Sequence, residues 1–203
     1  MWYSQSRQTR LAFAASLVLM TAFAHSPVLC AAAPERTLFA DPPRSLSDLQ
    51  LTSHEGKPLR LSQLRGAPVL LFFGFAHCPS VCPAALQQLR QLEQKHAAEL
   101  GATRIVIVSV DGERDSPAAM KTWLQPISTS FIGLTGPPAR VHDIAAQFSA
   151  AFYKTPGASA GEYSMEHNSQ IFLLDAKGQL RATFFNAPLA TMAAVTRDVA
   201  SGS

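Results

Sequence analysis

The chain has 203 residues, of which 47% are hydrophobic and 15% are charged, a composition typical of a globular protein with one domain. At this length a hydrophobic core can stabilise the fold without disulfide bonds. Without Arg7 and Arg10 of the N-terminal segment, 15 of the 17 basic residues remain against 14 acidic ones, and this balance excludes an electrostatic case for nucleic-acid binding.

Residues 1–33 have the pattern of a signal peptide or a membrane anchor. Two arginines precede Leu11–Ala24, an uncharged stretch of the length found in the hydrophobic region of signal peptides. The apolar character continues beyond this stretch, so a retained single-span anchor of about 20 residues also fits. Cys30 follows Leu29 rather than a small residue, which disfavours a lipoprotein. Either interpretation predicts an exported protein in the bacterial periplasm, soluble or anchored to the inner membrane through residues 11–33.

Residues 34–48 contain three prolines and few apolar side chains, which predicts a linker ahead of a folded domain at residues 49–203. The domain opens with two short segments that alternate apolar and polar residues, Leu49–Leu51 and Leu59–Leu61. A turn at Gly56 separates them, so they predict a β-hairpin.

Strands and helices alternate through the rest of the domain. Continuous apolar runs predict buried strands at Pro68–Gly74 and Ile105–Val110. Ser116 and Pro117 predict the cap and first turn of a helix that ends near Leu124. The remaining predicted elements are a short strand at Phe131–Gly133, a helix from Pro138 to about Phe148, a strand at Ser169–Leu174, its hairpin partner at Arg181–Phe185 and a helix over about Leu189–Ala200. This order predicts an α/β thioredoxin-like fold, in which helices flank a central mixed sheet that is preceded by an N-terminal hairpin.

Beyond the N-terminal segment the chain has two cysteines, Cys78 and Cys82, between the strand at Pro68–Gly74 and a leucine-rich helix that fades near Gly101. The carboxyl end of a strand is where open α/β folds place their sites, and a helix N-terminus lowers the pKa of nearby thiols. A bridge closing so short a loop constrains the unfolded chain little, which disfavours a purely structural disulfide. Four-residue spacing on a helix places both sulfurs on one face, where they could chelate a soft ion such as Cu(I) or form a redox-active disulfide. A closed zinc site would need a fourth ligand, and none is evident.

Among the histidines beyond the N-terminal segment, His167 has the position expected of a ligand. It follows a loop rich in glycine, proline and serine at residues 156–162 and precedes the strand at Ser169–Leu174. In a thioredoxin-like fold this loop faces the cysteine helix, and thiol oxidoreductases carry a cis-proline there. This chain has no proline near His167, so an imidazole can point at the sulfurs, although an ordinary loop histidine also fits. His77 adjoins Cys78, but adjacent side chains at a strand end diverge, so we do not expect it to bind the same ion.

Three segments together resemble the Sco/SenC family of copper-site assembly proteins. They are Phe73-Gly-Phe-Ala-His-Cys78-Pro-Ser-Val-Cys82-Pro, which resembles F-G-Y-T-H-C-P-D-V-C-P; Val110-Asp-Gly-Glu-Arg-Asp-Ser-Pro117, which resembles V-D-P-x-R-D-T-P; and Tyr163-Ser-Met-Glu-His167-Asn, which resembles Y-x-V-D-H-S. The likeness extends from about Leu49 to Phe185. The chain departs from the family pattern at Gly112, Glu166 and Asn168, and none of these changes removes a ligand. Asp111 and Asp115 match the pattern, and a strand-end turn and a helix cap explain them as well as a role at the copper site does.

The resemblance implies that Cys78, Cys82 and His167 bind copper, as Cu(I) or Cu(II). It further implies a metallochaperone that assists assembly of the binuclear copper site of cytochrome c oxidase subunit II, with another copper protein as a possible recipient and a separate copper donor protein as a further partner. Two alternatives stay open. The chain could be a thiol-disulfide oxidoreductase that acts on protein cysteines through Cys78 and Cys82, or a copper or redox sensor. A non-enzymatic role is favoured over an enzymatic one.

Overall fold

The computed structural model describes residues 35–48, 50–78, 81–157 and 162–202. The signal peptide or anchor predicted at residues 1–33 lies outside these ranges and stays a prediction. Within the described ranges, every helix is too short or too polar to cross a lipid bilayer.

Within these ranges, ten strands form one large sheet and one separate pair. In chain order they are β1 (Arg36–Arg44), β2 (Gln50–Ser53), β3 (Pro58–Arg60), β4 (Val69–Gly74), β5 (Arg104–Ser109), β6 (Ile132–Thr135), β7 (Phe152–Pro156), β8 (Tyr163–His167), β9 (Ile171–Leu174) and β10 (Leu180–Phe185). The eight-stranded sheet has the order β1-β10-β9-β4-β5-β6-β2-β3, whereas β7 and β8 pair only with each other.

In the described part of the chain, five α-helices accompany the sheet: α1 (Val81–Lys95), α2 (Ala97–Leu100), α3 (Pro117–Leu124), α4 (Pro138–Gln147) and α5 (Leu189–Ser201). The sheet is mixed because β4 pairs in parallel with β5 and antiparallel with β9. Every residue of β4 is buried, as is β5 after Arg104, which explains why both strands have continuous apolar sequences. The predicted α/β thioredoxin-like fold is confirmed.

The local signals for turns and caps hold in the structure. Strands β2 and β3 form the predicted hairpin, and Gly56 adopts a left-handed φ of +76° in its turn, where a side chain would be strained. The Ser116 hydroxyl accepts a hydrogen bond from the Ala119 N–H at 3.2 Å, and Pro117 opens α3. These short-range signals therefore identified both elements correctly.

The structure differs from the linker predicted at residues 34–48, because most of this segment is strand β1. It pairs antiparallel with β10 at the edge of the sheet, and the pairing shifts register between Phe39 and Arg44, where the two prolines of the strand lie. Proline is compatible with an edge strand because one side of the strand has no neighbour that needs its N–H groups. Composition alone does not distinguish this situation from a linker.

Candidate metal centre

The cysteine segment connects the buried strand β4 to helix α1. Cys82 lies in the first turn of α1, and Cys78 precedes the helix. The Cys78 sulfur accepts a hydrogen bond from the Cys82 N–H at 3.4 Å, so it satisfies a donor that a helix N-terminus leaves free. The pair therefore does not lie on one helical face as predicted, although both sulfurs still lie at the same helix end.

A glycine makes room for the second sulfur. A β-carbon at Gly74, the last residue of β4, would lie 3.1 Å from Cys82 Sγ and 2.6 Å from Phe72 Cε1. Both distances are below ordinary van der Waals contact. The end of β4 therefore accommodates the buried Cys82 only because position 74 carries no side chain.

His167 is brought to the cysteines by the separate hairpin of β7 and β8. It is the last residue of β8, whereas its surroundings in the sequence predict only a loop. Its Nε2 lies 3.2 Å from Cys82 Sγ and 4.0 Å from Cys78 Sγ. The three residues that the sequence singles out therefore meet in space.

Hydrogen bonding selects the tautomer of His167 that can bind a metal. Its Nδ1 lies 2.8 Å from the carbonyl oxygen of Asn168, which can only accept, so Nδ1 carries the hydrogen and donates it. The lone pair of the neutral ring is then on Nε2, which faces the sulfurs. Such a backbone partner is the usual means of orienting a ligating histidine.

Aromatic rings surround the imidazole and help to keep it neutral. The rings of Phe72 and Phe75 meet it edge-on, with centroids 5.8 Å and 5.7 Å away. Burial lowers the pKa of His167 below its usual value of 6.5, although the hydrogen bond with Asn168 and the charge of Glu166 oppose the shift. The deprotonated ring is the form that binds metals.

The two thiols differ in their exposure to solvent. Cys82 is 0% exposed, and burial raises the pKa of its thiol well above the usual range, which outweighs the effect expected of the helix N-terminus. Cys78 is half-buried, and both cysteines are free thiols. A ligand bond to Cys82 must therefore displace a proton.

The donor set fits a soft, thiophilic metal ion. The Sγ atoms of Cys78 and Cys82 and Nε2 of His167 all lie within 4.8 Å of one another. Ligand bonds of about 2.0–2.3 Å need donor atoms roughly 3–4.5 Å apart. Two thiolates suit Cu(I), and an added imidazole also accommodates Cu(II).

A second cluster beside the first is formed by His77, Asp111 and Asp115, and most of its carboxylate oxygens accept internal hydrogen bonds. Asp115 Oδ2 accepts from the Ala76 N–H at 3.0 Å and from the Ser109 hydroxyl at 2.7 Å, while Oδ1 lies 3.5 Å from His77 Nδ1. Asp115 is thus a buried support of the cysteine segment rather than a helix cap, since Ser116 caps α3.

The other carboxylate of this cluster supports the histidine hairpin. Asp111 accepts a hydrogen bond from the Tyr163 hydroxyl at 2.7 Å and is paired with Arg114 at 2.5 Å. The sequence pattern does not reveal this role of Tyr163. The alternation of Tyr163, Met165 and His167 is the signal that could have predicted β8 and the shared face of these residues.

The SCO1/SenC family model matches residues 40–201. The chain is 35% identical over 133 residues to the mouse mitochondrial protein SCO2 homolog, a match that covers 64% of this chain and 52% of that protein. It therefore spans about half the length of this relative.

Two solved structures agree with the fold. The structure of Bradyrhizobium japonicum ScoI with copper bound is 32% identical, has a TM-score of 0.68 and covers 75% of this chain and 96% of that one. The solution structure of apo Sco1 from Thermus thermophilus is also 32% identical, has a TM-score of 0.64 and covers 80% of this chain and 92% of that one.

Proposed function

Because the chain belongs to the SCO1/SenC family, we propose that it is an exported copper-binding metallochaperone that assists assembly of the binuclear copper site of cytochrome c oxidase subunit II. Copper would be carried by Cys78, Cys82 and His167. The observation that carries the proposal is the convergence of these three donor atoms within 4.8 Å from two separate elements. The copper-bound structure of the Bradyrhizobium relative supports copper as the cargo.

The donors suit a cargo that must be held and then released. Two thiolates provide soft ligands for Cu(I), and the neutral imidazole provides a nitrogen for Cu(II). His167 belongs to a hairpin outside the main sheet, so it can move with less disturbance than a residue of the core. We expect thiolates of the recipient to displace His167 first and the cysteines afterwards.

A thiol-disulfide oxidoreductase is the second candidate, and the half-buried Cys78 is the observation that favours it. The sulfur of Cys78 is partly exposed and accepts a hydrogen bond from the Cys82 N–H, so it is placed to attack a substrate disulfide. The attack would form a mixed disulfide between Cys78 and the substrate and release one substrate thiolate. Cys82 would then attack the Cys78 sulfur of this mixed disulfide and release the second substrate thiolate. The chain would end with a Cys78–Cys82 disulfide and the substrate with two thiols.

A titration distinguishes these functions. The reduced chain is titrated with Cu(I) and Cu(II) alongside single alanine variants at Cys78, Cys82 and His167, with His96→Ala, at the junction of α1 and α2, as the matched control. If the chain is a metallochaperone, it binds one copper ion, each of the three alanine variants binds copper more weakly, and the control variant binds as the parent does. If His167→Ala bound both valences as tightly as the parent, His167 would not be a ligand.

A disulfide-reduction assay on the same variants tests the alternative. An oxidoreductase would reduce a protein disulfide in the absence of metal and would tolerate His167→Ala. The proposed export is tested separately by fractionating cells that express the full chain, and recovery in the cytoplasmic fraction would exclude it.

A further inference from the structure

The proposed ligands lie on two pieces of the fold that share no strand pairing. The cysteines follow β4 of the eight-stranded sheet, whereas His167 ends the hairpin of β7 and β8, which forms a sheet of its own. The chain enters the large sheet again at Ile171 of β9, which pairs with Phe72 of β4, so this pairing limits how far His167 can lie from the cysteines but does not set the direction of β8. Contacts made by side chains must contribute to it.

One short turn, at residues 111–115, contacts both pieces. On the cysteine side, the buried carboxylate of Asp115 accepts the Ala76 N–H at 3.0 Å, two residues before Cys78. The same carboxylate is anchored to β5 through the Ser109 hydroxyl at 2.7 Å. The turn thus holds the segment that carries the first sulfur.

On the hairpin side, the same turn holds Tyr163, the first residue of β8. The Tyr163 hydroxyl donates to Asp111 Oδ1 at 2.7 Å, and Arg114 Nη1 donates to the Tyr163 carbonyl at 3.0 Å. The Arg114 guanidinium also lies 3.8 Å from the centre of the Tyr163 ring and bonds to the second oxygen of Asp111. Three interactions from this turn therefore converge on Tyr163.

The strand links this tyrosine to the proposed ligand. Side chains two and four residues apart project from the same face of a strand, so Tyr163 and His167 share a face of β8. At a rise of about 3.3 Å per residue they lie roughly 13 Å apart along it. A strand held at Tyr163 has a defined direction at His167, and a strand released there could pivot.

The chemistry of the contact is suited to a permanent role. Burial and, to a smaller extent, the hydrogen bond to Asp111 raise the pKa of Tyr163 to about 12. The hydroxyl therefore keeps its proton and remains a donor at physiological pH. Asp111 is buried, and its charge is balanced by Arg114.

We propose that Asp111, Arg114 and Tyr163 form a clamp that positions His167 over the cysteine pair. They are positioning residues, since they act on the metal site through the strand and the turn. The inference rests on the proposed copper function. It predicts that loss of the clamp affects Cu(II), which depends on the nitrogen donor, more than Cu(I), which two thiolates can hold.

The test compares Tyr163→Phe with Tyr153→Phe in the full chain. Tyr153 lies on the paired strand β7 and is 62% exposed, so it provides the same substitution in the same hairpin. For Tyr163→Phe we expect Cu(II) to dissociate about tenfold faster, on the scale of one hydrogen bond to a charged group, and Cu(I) by no more than about twofold. The nitrogen coupling in the Cu(II) electron paramagnetic resonance spectrum should weaken or become heterogeneous, and Tyr153→Phe should match the parent.

Hydrogen exchange of the metal-free chain gives a readout that does not require copper. The amides of β7 and β8 should exchange faster in Tyr163→Phe, while those of β4 and β5 should keep the parent's rates. Arg114→Lys, which keeps the charge but cannot reproduce the planar contact with Tyr163, should give the same pattern and serves if Tyr163→Phe does not fold.

The outcomes separate the clamp from the copper function. A parent chain that binds no copper refutes the proposed function, and hairpin exchange then decides the clamp. If the parent binds copper but both variants keep its Cu(II) spectrum, release rate and hairpin exchange, the clamp is refuted and the function stands. A variant that only lowers the melting temperature, with an unchanged spectrum, also refutes the clamp.

Discussion

Replacing Gly112 by alanine should test the 111–115 turn that supports both sides of the site. A β-carbon at Gly112 would lie 1.9 Å from the carbonyl oxygen of Gly136 and 3.0 Å from its carbonyl carbon. Both neighbours are backbone atoms, so no rotamer change can relieve the contact. Either the turn or the segment after β6 must move.

The size of the effect follows from these distances. Contact at 3.0 Å requires a displacement of about 1.1 Å, which would stretch the hydrogen bonds of Asp111 and Asp115 beyond their useful range. Overpacking costs about 1–3 kcal/mol, and a lost hydrogen bond to a charged group costs about 1.5–3 kcal/mol. We expect Gly112→Ala to lower the free energy of unfolding by about 2–4 kcal/mol and the melting temperature by roughly 5–15 °C.

Urea unfolding of three variants provides the measurement. Gly136→Ala is the matched control, because its β-carbon would meet Leu51 Cδ2 at 2.6 Å, the far end of a flexible side chain, at a cost of about 1 kcal/mol. Gly112→Pro restores the residue of the V-D-P-x-R-D-T-P pattern, yet it also adds a β-carbon and should destabilise the chain. If Gly112→Pro or Gly112→Ala unfolded within about 0.5 kcal/mol of the parent, the close approach to Gly136 would be refuted.

Four further predictions concern single groups. Cys78, the half-buried thiol, should be alkylated at least about tenfold faster than Cys82 in a mass-spectrometric time course, and the reverse order would contradict the described burial. Burial lowers the pKa of His167 in the folded chain, so protonation of this histidine favours the unfolded chain. The stability contributed by the neutral imidazole is present above about pH 6.5 and is lost as the pH falls through the lower pKa of the folded state. In urea midpoints measured against pH, His167→Ala should lack this loss. Because its pKa is raised, Cys82 is protonated before it binds Cu(I), and binding must displace that proton. The Cu(I) affinity should therefore increase about tenfold per pH unit for each thiol proton displaced, and an affinity that did not change with pH would show that no proton is released. Ser116→Ala should cost about 1 kcal/mol in thermal unfolding because the Ala119 N–H loses its cap, whereas Ser116→Asp should restore most of it.

Much of the fold could be predicted because its signals are local. The apolar runs of β4 and β5 reflect burial on both faces, and the Ser116 cap acts within a few residues of itself. Strand β1 was missed because its prolines are tolerated only at a sheet edge, and sequence does not show which strand will lie there. The β7–β8 hairpin was missed because its short alternation is interrupted by a loop rich in glycine and proline.

The site could be predicted in part for the same reason. The spacing of Cys78 and Cys82 is local, and the position of His167 follows from fold order, so their convergence was accessible from the sequence. The contacts that support the site could not be predicted from the sequence. The bond between Tyr163 and Asp111 joins residues 52 positions apart, and nothing in either neighbourhood specifies the other. Burial also reversed a local expectation, because the helix end alone predicts a lowered pKa for Cys82.

If the chain delivers copper as proposed, the deep burial of Cys82 has a consequence for the proton balance of the transfer. If Cu(I) left without replacement, a buried negative charge would remain where no solvent could stabilise it. The departing ion must therefore be exchanged for a proton, while a recipient that binds copper through its own thiols gives protons up. Transfer then resembles an antiport between two proteins, with copper moving one way and protons the other. The equilibrium between donor and recipient would vary little with pH, even though the affinity of each protein for copper varies strongly.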